Sequence, residues 1–329
     1  MQQWLINSWY KPHPIRWLLW PLSLVYRLII ISRKLLYQFG IFKQYKLAVP
    51  VIIVGNISVG GTGKTPFVIW LAKQLQQAGF RPGIISRGYG GKAEHYPQEV
   101  MPDSDPAIVG DEPIIISRHT GCPMIVDPHR INSGNMLLQR HNCDIIISDD
   151  GLQHYALARD IEIVIVDGQR LFGNQYSLPA GPLREPISRL KNIDFIVHNS
   201  AAHSSSYSMS LSQGQAINLS NSEIKKDLVD FKEQFVHAVA GIGNPNRFFE
   251  QLSKQGLHIQ AHEFKDHHRY EKSELQFNDN NPILMTEKDA VKCHEFAYEN
   301  MWYIPIEATI TGQLEHSILH KLAGIKSHG

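Results

Sequence analysis

The chain has 329 residues, of which 43% are hydrophobic and 19% charged, a composition typical of a folded protein long enough for two domains. Its three cysteines, Cys122, Cys143 and Cys293, are far apart and form no Cys-x-x-Cys pair, which argues against a disulfide framework or a zinc site and favours a reducing compartment. The net charge of +1 conceals an asymmetry: residues 1–93 contain no Asp or Glu and sum to +12, residues 94–329 sum to −11, and the basic part predicts an anionic partner.

The first predicted element is an apolar helix within this basic part. Residues 17–32 read WLLWPLSLVYRLIIIS, with basic residues on both sides and four tryptophans in or near the run. The run is shorter than the roughly 20 apolar residues that a spanning helix needs, and it begins too late for a signal peptide. The combination favours an interfacial helix on an anionic membrane over a buried core helix. Nucleic acid is not expected as a partner, because the basic residues lie within apolar sequence rather than in a polar stripe.

A glycine-rich loop follows the first predicted strand. The apolar run Val51–Val54 leads into this loop, which closes with Gly-Lys-Thr before a predicted helix over Pro66–Ala78. In this setting backbone N–H groups converge on a phosphate, the lysine (Lys64) reaches the β- and γ-phosphates, and the hydroxyl of Thr65 reaches Mg²⁺. The alternative is a glycine-rich turn that only caps a helix, and Ser58 departs from the glycine of the general pattern. The predicted nucleotide-binding residues are Ser58, Val59, Gly60, Gly61, Thr62, Gly63, Lys64 and Thr65.

Apolar, β-branched runs continue along the chain and alternate with helical segments. The remaining strands predicted for this part are Gly83–Ser86, Met124–Val126, Asp144–Ser148, Ile161–Val166 and Phe195–His198. Near-continuous apolar runs of this kind are typical of a parallel sheet buried on both faces. The predicted fold class is therefore α/β, with a P-loop NTPase-type doubly wound parallel sheet. Beyond a serine-rich stretch that begins near Ser200, further strand candidates predict a second, smaller α/β domain.

Paired carboxylates end one of these strands. Residues 143–154 read CDIIISDDGLQH, and in a P-loop protein an acid at this position holds Mg²⁺. Neighbouring residues point to different sides, so we expect one of Asp149 and Asp150 to face the metal and the other to face the substrate or the attacking group. A solvated Asp-Asp-Gly turn is the alternative.

Three further motifs are weak on their own. Asp111 and Glu112 precede a predicted helix, and in isolation a helix cap is the better interpretation. His267 and His268 lie beside an acid, as the base of an alcohol kinase would, although a surface turn has the same pattern. Arg184 lies in a proline-rich loop and is either a phosphate clamp or part of a structural salt bridge.

Taken together, these motifs resemble the tetraacyldisaccharide 4′-kinase family, the lipid A 4′-kinases of Gram-negative bacteria. The resemblance runs from about Val49 to Lys292, and a small hydroxyl residue at position 58 is also common in this family. Its parts are Gly55-Asn56, Val59–Thr65, Ser86–Gly90, Gly110–Pro113, Asp149–His154, Leu157–Asp160, Pro179–Pro186, Asp266-His267 and Thr286–Lys292.

The resemblance implies an ATP-dependent lipid kinase that transfers the γ-phosphate to the 4′-hydroxyl of a tetraacylated glucosamine disaccharide 1-phosphate. Lipid IVA is the implied product, ATP and Mg²⁺ are the implied co-substrate and cofactor, and the cytoplasmic face of the inner membrane is the implied location. No obligate protein partner is expected. The alternative is a membrane-attached P-loop ATPase that acts as a regulatory switch.

The resemblance also implies roles for single residues. Asp111 and His267 correspond to a catalytic dyad, with the neighbouring His268 leaving the choice of histidine open at this point. The implied catalytic residues also include Lys64, Asp149 and Asp150, of which the two aspartates together with Thr65 are the metal ligands. Arg130 and Arg184 are the implied contacts to the phosphate or sugar of the lipid.

We therefore expect four segments. Residues 1–46 form a basic, apolar, membrane-contacting helical segment, and residues 47–200 form the P-loop kinase core. Residues 201–310 form the smaller α/β domain, and residues 311–329 form a C-terminal helix that can pack back on the core.

Overall fold

The computed structural model describes residues 3–199 and 207–326. The first seven residues of the serine-rich stretch, 200–206, lie outside the described residues. The helices of the described residues are α1 Gln3–Tyr10, α2 Ile15–Gln38, α3 Lys64–Gln77, α4 Pro106–Val109, α5 Asp111–Thr120, α6 Arg130–Arg140, α7 Pro245–Lys254, α8 Glu287–Cys293 and α9 Leu314–Lys326. The strands are β1 Val51–Gly55, β2 Pro82–Ser86, β3 Gln98–Glu99, β4 Met124–Val126, β5 Ile145–Asp149, β6 Ile161–Asp167, β7 Phe195–Asn199, β8 Ser208–Gln213, β9 Ala216–Asn218, β10 Lys225–Lys226, β11 Phe235–Ala240, β12 His258–Glu263, β13 Ile283–Thr286, β14 Met301–Ile304 and β15 Ile306–Thr311.

The chain divides into two compact units. The first takes in Met1–Arg87, Cys122–Ser210 and Thr309–Gly329, and the second takes in Gly88–Gly121 and Leu211–Ala308. Helix α9 accordingly lies in the first unit, where Lys321 forms an ion pair with Asp194.

The segment 88–121 belongs to the second unit, and not to the core in which we expected it. Helix α5 of this segment lies against α8 within that unit. Two ion pairs join these helices, one between Glu112 and Lys288 and one between His119 and Glu287. These contacts join residues more than 160 positions apart, so they cannot be predicted from local sequence patterns.

The sheet of the first unit is parallel and doubly wound, as predicted. Seven of its strands follow the order β8-β7-β6-β1-β5-β2-β4, and each neighbouring pair in this series runs parallel. The residues of β1, β2 and β5 are all buried, which is why these strands read as unbroken apolar runs. Val54 of β1 pairs with Asp149 of β5, so the carboxyl ends of these two strands lie side by side. The glycine-rich loop and the paired aspartates therefore leave the sheet at the same edge.

The second unit has a mixed sheet of six strands in the order β10-β9-β14-β13-β11-β12. Strands β11 to β14 pair in parallel, whereas β9 runs antiparallel to both β14 and β10. Phe231, Phe248, Leu252 and Trp302 are among the side chains that form its core. This unit is the smaller α/β domain that the sequence predicts.

Helix α2 is longer than the predicted apolar run and is exposed. Its 24 residues make it the one helix among the described residues that is long and apolar enough to cross a membrane, by length and composition. Our expectation that it is too short was wrong, because the helix continues beyond the run at both ends. Ser23 is its buried residue, while Leu18 is 74% and Leu28 is 65% exposed. The alternative of a buried core helix therefore does not fit the structure.

Candidate active site

The loop between β1 and α3 has the backbone conformation of a phosphate cradle. Gly60 and Gly63 have φ angles of +121° and +91°, which favour glycine. Helix α3 begins at Lys64, so the free N–H groups of its first turn and the positive end of its dipole face this loop. This arrangement is suited to binding an anion.

Hydrogen bonds hold the loop in shape from both sides. The buried Asn56 side chain donates to the carbonyl of Gly60, and the Asn199 side chain donates to the carbonyl of Thr62 at 2.9 Å. Ser58 pairs with Leu183 in an isolated bridge, and its φ angle is not positive. The serine is tolerated in place of glycine because this position needs no left-handed backbone.

Asp150 lies between two cations. The Nζ atom of Lys64 is 3.5 Å from its Oδ1 atom, and the Nη1 atom of Arg184 donates to both carboxylate oxygens at 3.1 and 3.0 Å. Burial by itself raises the pKa of Asp150, but the charges of Lys64 and Arg184 and the hydrogen bond from Arg184 lower it overall. The carboxylate is therefore ionised at neutral pH.

Asp149 is buried at the end of β5 and faces a different neighbour. The hydroxyl of Ser86 donates to its Oδ2 atom at 3.3 Å. Thr65, a buried residue in the first turn of α3, lies in the first unit together with Asp149. Hydroxyl and carboxylate oxygens are the ligands that Mg²⁺ prefers, and Mg²⁺ takes its remaining ligands from water and phosphates. Over residues 3–199 and 207–326, no group of three or more His, Cys, Asp or Glu side chains is placed so that it could hold a metal ion.

Arg130 is buried where α6 begins. Its Nη1 atom donates to the carbonyl of Asp127 at 2.9 Å and its Nη2 atom to the carbonyl of Asp149 at 3.4 Å. Burial lowers the pKa of Arg130 to about 10, against the opposing effect of the Asp149 and Asp150 carboxylates. Only 3% of the residue is exposed, so its guanidinium supports the end of β5 from within the protein.

In the second unit, Asp111 and His267 form a hydrogen-bonded pair. The Oδ2 atom of Asp111 is 3.1 Å from the Nδ1 atom of His267, and its Oδ1 atom accepts from the backbone N–H of Glu112 at 2.8 Å. Asp111 is thus the first residue of α5 and also the partner of a histidine. The interpretation as a simple helix cap leaves out this second contact.

The neighbouring histidine has a different partner. The Nε2 atom of His268 lies 2.9 Å from a carboxylate oxygen of Glu274, whereas His267 faces Asp111. The open choice between the two histidines therefore has a structural answer, and His267 is the one that forms the pair.

The two groups of the pair shift each other's pKa. Burial by itself raises the pKa of Asp111, but the hydrogen bond to His267 and the charges of Lys288, His267 and Lys292 lower it overall. The hydrogen bond to Asp111 raises the pKa of His267 above its usual value, against the opposing effect of burial. The pair therefore favours an ionised carboxylate, and His267 keeps its proton to higher pH than a free imidazole does.

Residues that the sequence did not single out hold His267 in place. Its φ angle is +58°, and its backbone N–H donates to the carbonyl of Gly241 at 3.2 Å. The N–H of Gly241 donates in turn to the fully buried Asp289 at 3.1 Å. The ring of Tyr89, which is 68% exposed, meets the His267 ring edge-on at 5.3 Å. Tyr89 and Asp289 both lie in motifs that the chain shares with the family, and this was the one feature of the sequence that could have pointed to them.

The predicted site residues are thus divided between the units. The glycine-rich loop, Asp149, Asp150, Arg130 and Arg184 lie in the first unit, and the Asp111–His267 pair lies in the second.

Comparisons with known proteins agree over nearly the whole chain. The family model described as LpxK, tetraacyldisaccharide-1-P 4′-kinase, matches residues 15–323. The tetraacyldisaccharide 4′-kinase of Nitrosococcus oceani is 48% identical, over 97% of this chain and 94% of that protein. The protein of the same name from Methylobacillus flagellatus is 51% identical, over 97% of this chain and 96% of its own length. The crystal structure of LpxK from Aquifex aeolicus in complex with ATP is 29% identical with a TM-score of 0.80, and the match covers 94% of this chain and 99% of that one. The chain therefore belongs to the LpxK family of tetraacyldisaccharide 4′-kinases.

Proposed function

We propose that the chain is an ATP-dependent lipid kinase. It transfers the γ-phosphate of ATP to the 4′-hydroxyl of a tetraacylated glucosamine disaccharide 1-phosphate and so forms lipid IVA in lipid A biosynthesis. The names of the relatives and the ATP in the similar Aquifex structure support this assignment. The observation that carries it is the Asp111–His267 contact, because a switch that only hydrolyses nucleotide has no use for a base that accepts the proton of an alcohol.

The first unit binds the nucleotide in this proposal. The loop from Ser58 to Thr65 surrounds the phosphates, and Lys64 stabilises the negative charge of the transferring phosphoryl group. Mg²⁺, when bound, neutralises phosphate charge and orients the nucleotide. Thr65 and Asp149 supply its protein oxygens, since Asp150 already pairs with Lys64 and Arg184.

The second unit supplies the proton acceptor. The Nδ1 atom of His267 faces Asp111, and its Nε2 atom, 3.8 Å from the Oδ1 atom of Asp266, is the one that we assign to the acceptor hydroxyl. The His267 side chain is 27% exposed and that of Asp111 only 4%, so the proton of the hydroxyl passes to His267 and Asp111 stabilises the resulting imidazolium. Asp149, Asp150 and Arg184 act at the nucleotide side, and Arg130 supports Asp149 through the end of β5.

Helix α2 attaches the protein to the cytoplasmic face of the inner membrane of a Gram-negative cell. Its exposed apolar side chains and its basic residues match a surface of acyl chains and anionic head groups. An acylated, phosphorylated substrate resides in such a surface. That nucleic acid and obligate protein partners play no part stays a prediction.

The test is label transfer from γ-³²P ATP to purified tetraacyldisaccharide 1-phosphate in detergent micelles, with Mg²⁺ and with a chelator. We expect labelled lipid only with Mg²⁺. ATP turnover that ignores the lipid would contradict the proposal and favour the membrane-attached ATPase.

A further inference from the structure

Helix α2 is largely exposed, but it contains one buried polar residue, Ser23. Ser23 is 4% exposed, while Leu22 beside it is 58% exposed. Its hydroxyl donates to the carbonyl of Ser177 at 2.9 Å and accepts from the backbone N–H of Ala180 at 2.9 Å. A hydroxyl can do both at once, and an alanine would leave both backbone groups without this partner.

The loop that Ser23 holds, residues 177–185, receives two more contacts from the N-terminal helices. The indole N–H of Trp9, a residue only 1% exposed, donates to the carbonyl of Pro179 at 3.0 Å. The hydroxyl of Tyr26 donates to the carbonyl of Arg184 at 3.3 Å. Helices α1 and α2 therefore bind this loop through the polar groups of three side chains.

The 177–185 loop in turn holds the phosphate-binding loop. The carbonyl of Pro182 accepts from the N–H of Val59 at 2.8 Å, and the N–H of Arg184 donates to the carbonyl of Ile57 at 2.7 Å. The side chain of Arg184 also pairs with Asp150. Two positions separate Ala180, bound by Ser23, from Pro182, which binds Val59.

We propose that Ser23 is a positioning residue for nucleotide binding. By holding the 177–185 loop, it sets the position of the phosphate-binding loop and of Arg184, neither of which it contacts itself. Helix α2 is then part of the nucleotide site as well as a membrane-contacting helix, and its two sides serve these two roles. The inference rests on the proposed function, because it assigns a support to the ATP site of the same kinase.

The experiment measures ATP binding by equilibrium dialysis of the full chain, without lipid, for wild type, Ser23→Ala and Leu22→Ala. Loss of the hydroxyl leaves the buried N–H of Ala180 without this partner, whereas the Ser177 carbonyl still accepts from the N–H of Gly181. We expect Ser23→Ala to weaken ATP binding about tenfold. In the kinase assay the KM for ATP should rise by the same factor while the KM for the lipid stays unchanged. Leu22→Ala should keep wild-type affinity for ATP and bind less well to vesicles of phosphatidylethanolamine and phosphatidylglycerol.

Wild-type affinity for ATP in Ser23→Ala would overturn the inference, even if the melting temperature falls, since a merely structural role affects stability alone. Absence of ATP binding in the wild type would instead overturn the proposed function. If Ser23→Ala does not fold, Tyr26→Phe decides: about threefold weaker ATP binding supports the inference, and unchanged binding contradicts it.

Discussion

Each unit contains a carboxylate beside cationic groups, but the cationic groups are of different kinds. In the first unit Asp150 pairs with a lysine and an arginine, Lys64 and Arg184, which are strong bases. In the second unit Asp111 pairs with His267, and an unperturbed imidazole is the side chain that changes charge between about pH 5 and 8. In both places burial alone would raise the pKa of the carboxyl group, and the neighbours lower it. The first site therefore holds fixed charge, whereas the second can exchange a proton.

Replacement of the fixed charge should have the largest effect. Lys64→Ala removes the charge that, in our proposal, stabilises the transferring phosphoryl group, and we expect label transfer to the lipid to fall by about 10³-fold. Lys73→Ala, on the exposed side of the same helix, is the matched control and should transfer label at the wild-type rate. A Lys64→Ala enzyme with half the wild-type rate would show that the loop does not bind the reacting phosphates.

Replacement of Asp111, the carboxylate that pairs with His267, should have the next largest effect on the kinase rate. Asp111→Asn should lower the turnover number by about 10²-fold, because the imidazolium of His267 loses the charge that stabilises it. ATP binding by dialysis should stay at the wild-type level, which would separate the two sites. Asp103→Asn, an exposed carboxylate of the same unit, serves as the control. Equal losses of ATP binding and turnover in Asp111→Asn would remove the distinction between the sites.

The two groups of the Asp111–His267 pair should contribute to stability in opposite pH directions. The raised pKa of His267 means that its stabilising contribution is complete below about pH 6.5, the unfolded value, and is lost as pH rises through the folded value. The lowered pKa of Asp111 means that its contribution is present above about pH 4 and is lost as pH falls through the folded value. The pair is therefore strongest between about pH 4 and 6.5, whereas the kinase rate should rise above that range as His267 loses its proton.

Titration of the His267 imidazole by NMR checks this directly. We expect a pKa above 6.5 in the wild type and a lower value in Asp111→Asn. His268→Gln should leave both the His267 titration and the kinase rate unchanged, because His268 binds Glu274. A His267 pKa that does not respond to Asp111→Asn would contradict the pairing.

The smallest effect is expected for alanine at Gly90. Comparison with alanine at Gly79 separates the cost of backbone strain from the effect of displacing His267. Gly79 and Gly90 have similar φ angles of +85° and +88°, but only a methyl group at Gly90 would meet a neighbour, the Nδ1 atom of His267 at 3.3 Å. Alanine at either position should destabilise the protein by about 1 kcal/mol in urea unfolding. Gly90→Ala should also slow the kinase about fivefold, or ~1 kcal/mol in activation free energy, by displacing His267. A similar rate loss in Gly79→Ala would indicate a general effect of stability.

Local patterns explain the part of the fold that was predicted. Strands β1, β2 and β4 to β7 lie within a residue or two of their predicted bounds, because a strand buried on both faces must be an apolar run. The glycine-rich loop was identified by its order of strand, loop and helix. The prediction that this segment is too short to span a membrane was wrong, since the apolar run of residues 17–32 leaves out the flanking turns that extend α2 from Ile15 to Gln38.

By itself the sequence determined which chemical groups the protein has and which strands and loops bear them, because apolar runs and glycine positions constrain the backbone locally. Only the tertiary structure decided which groups meet. Asp111 and His267 are 156 positions apart, and the same sequence motif offers His268 equally well. Likewise Asp150 rather than Asp149 pairs with Lys64, and segment 88–121 joins the second unit. Such choices depend on packing and electrostatic contacts between distant segments, which no local pattern encodes.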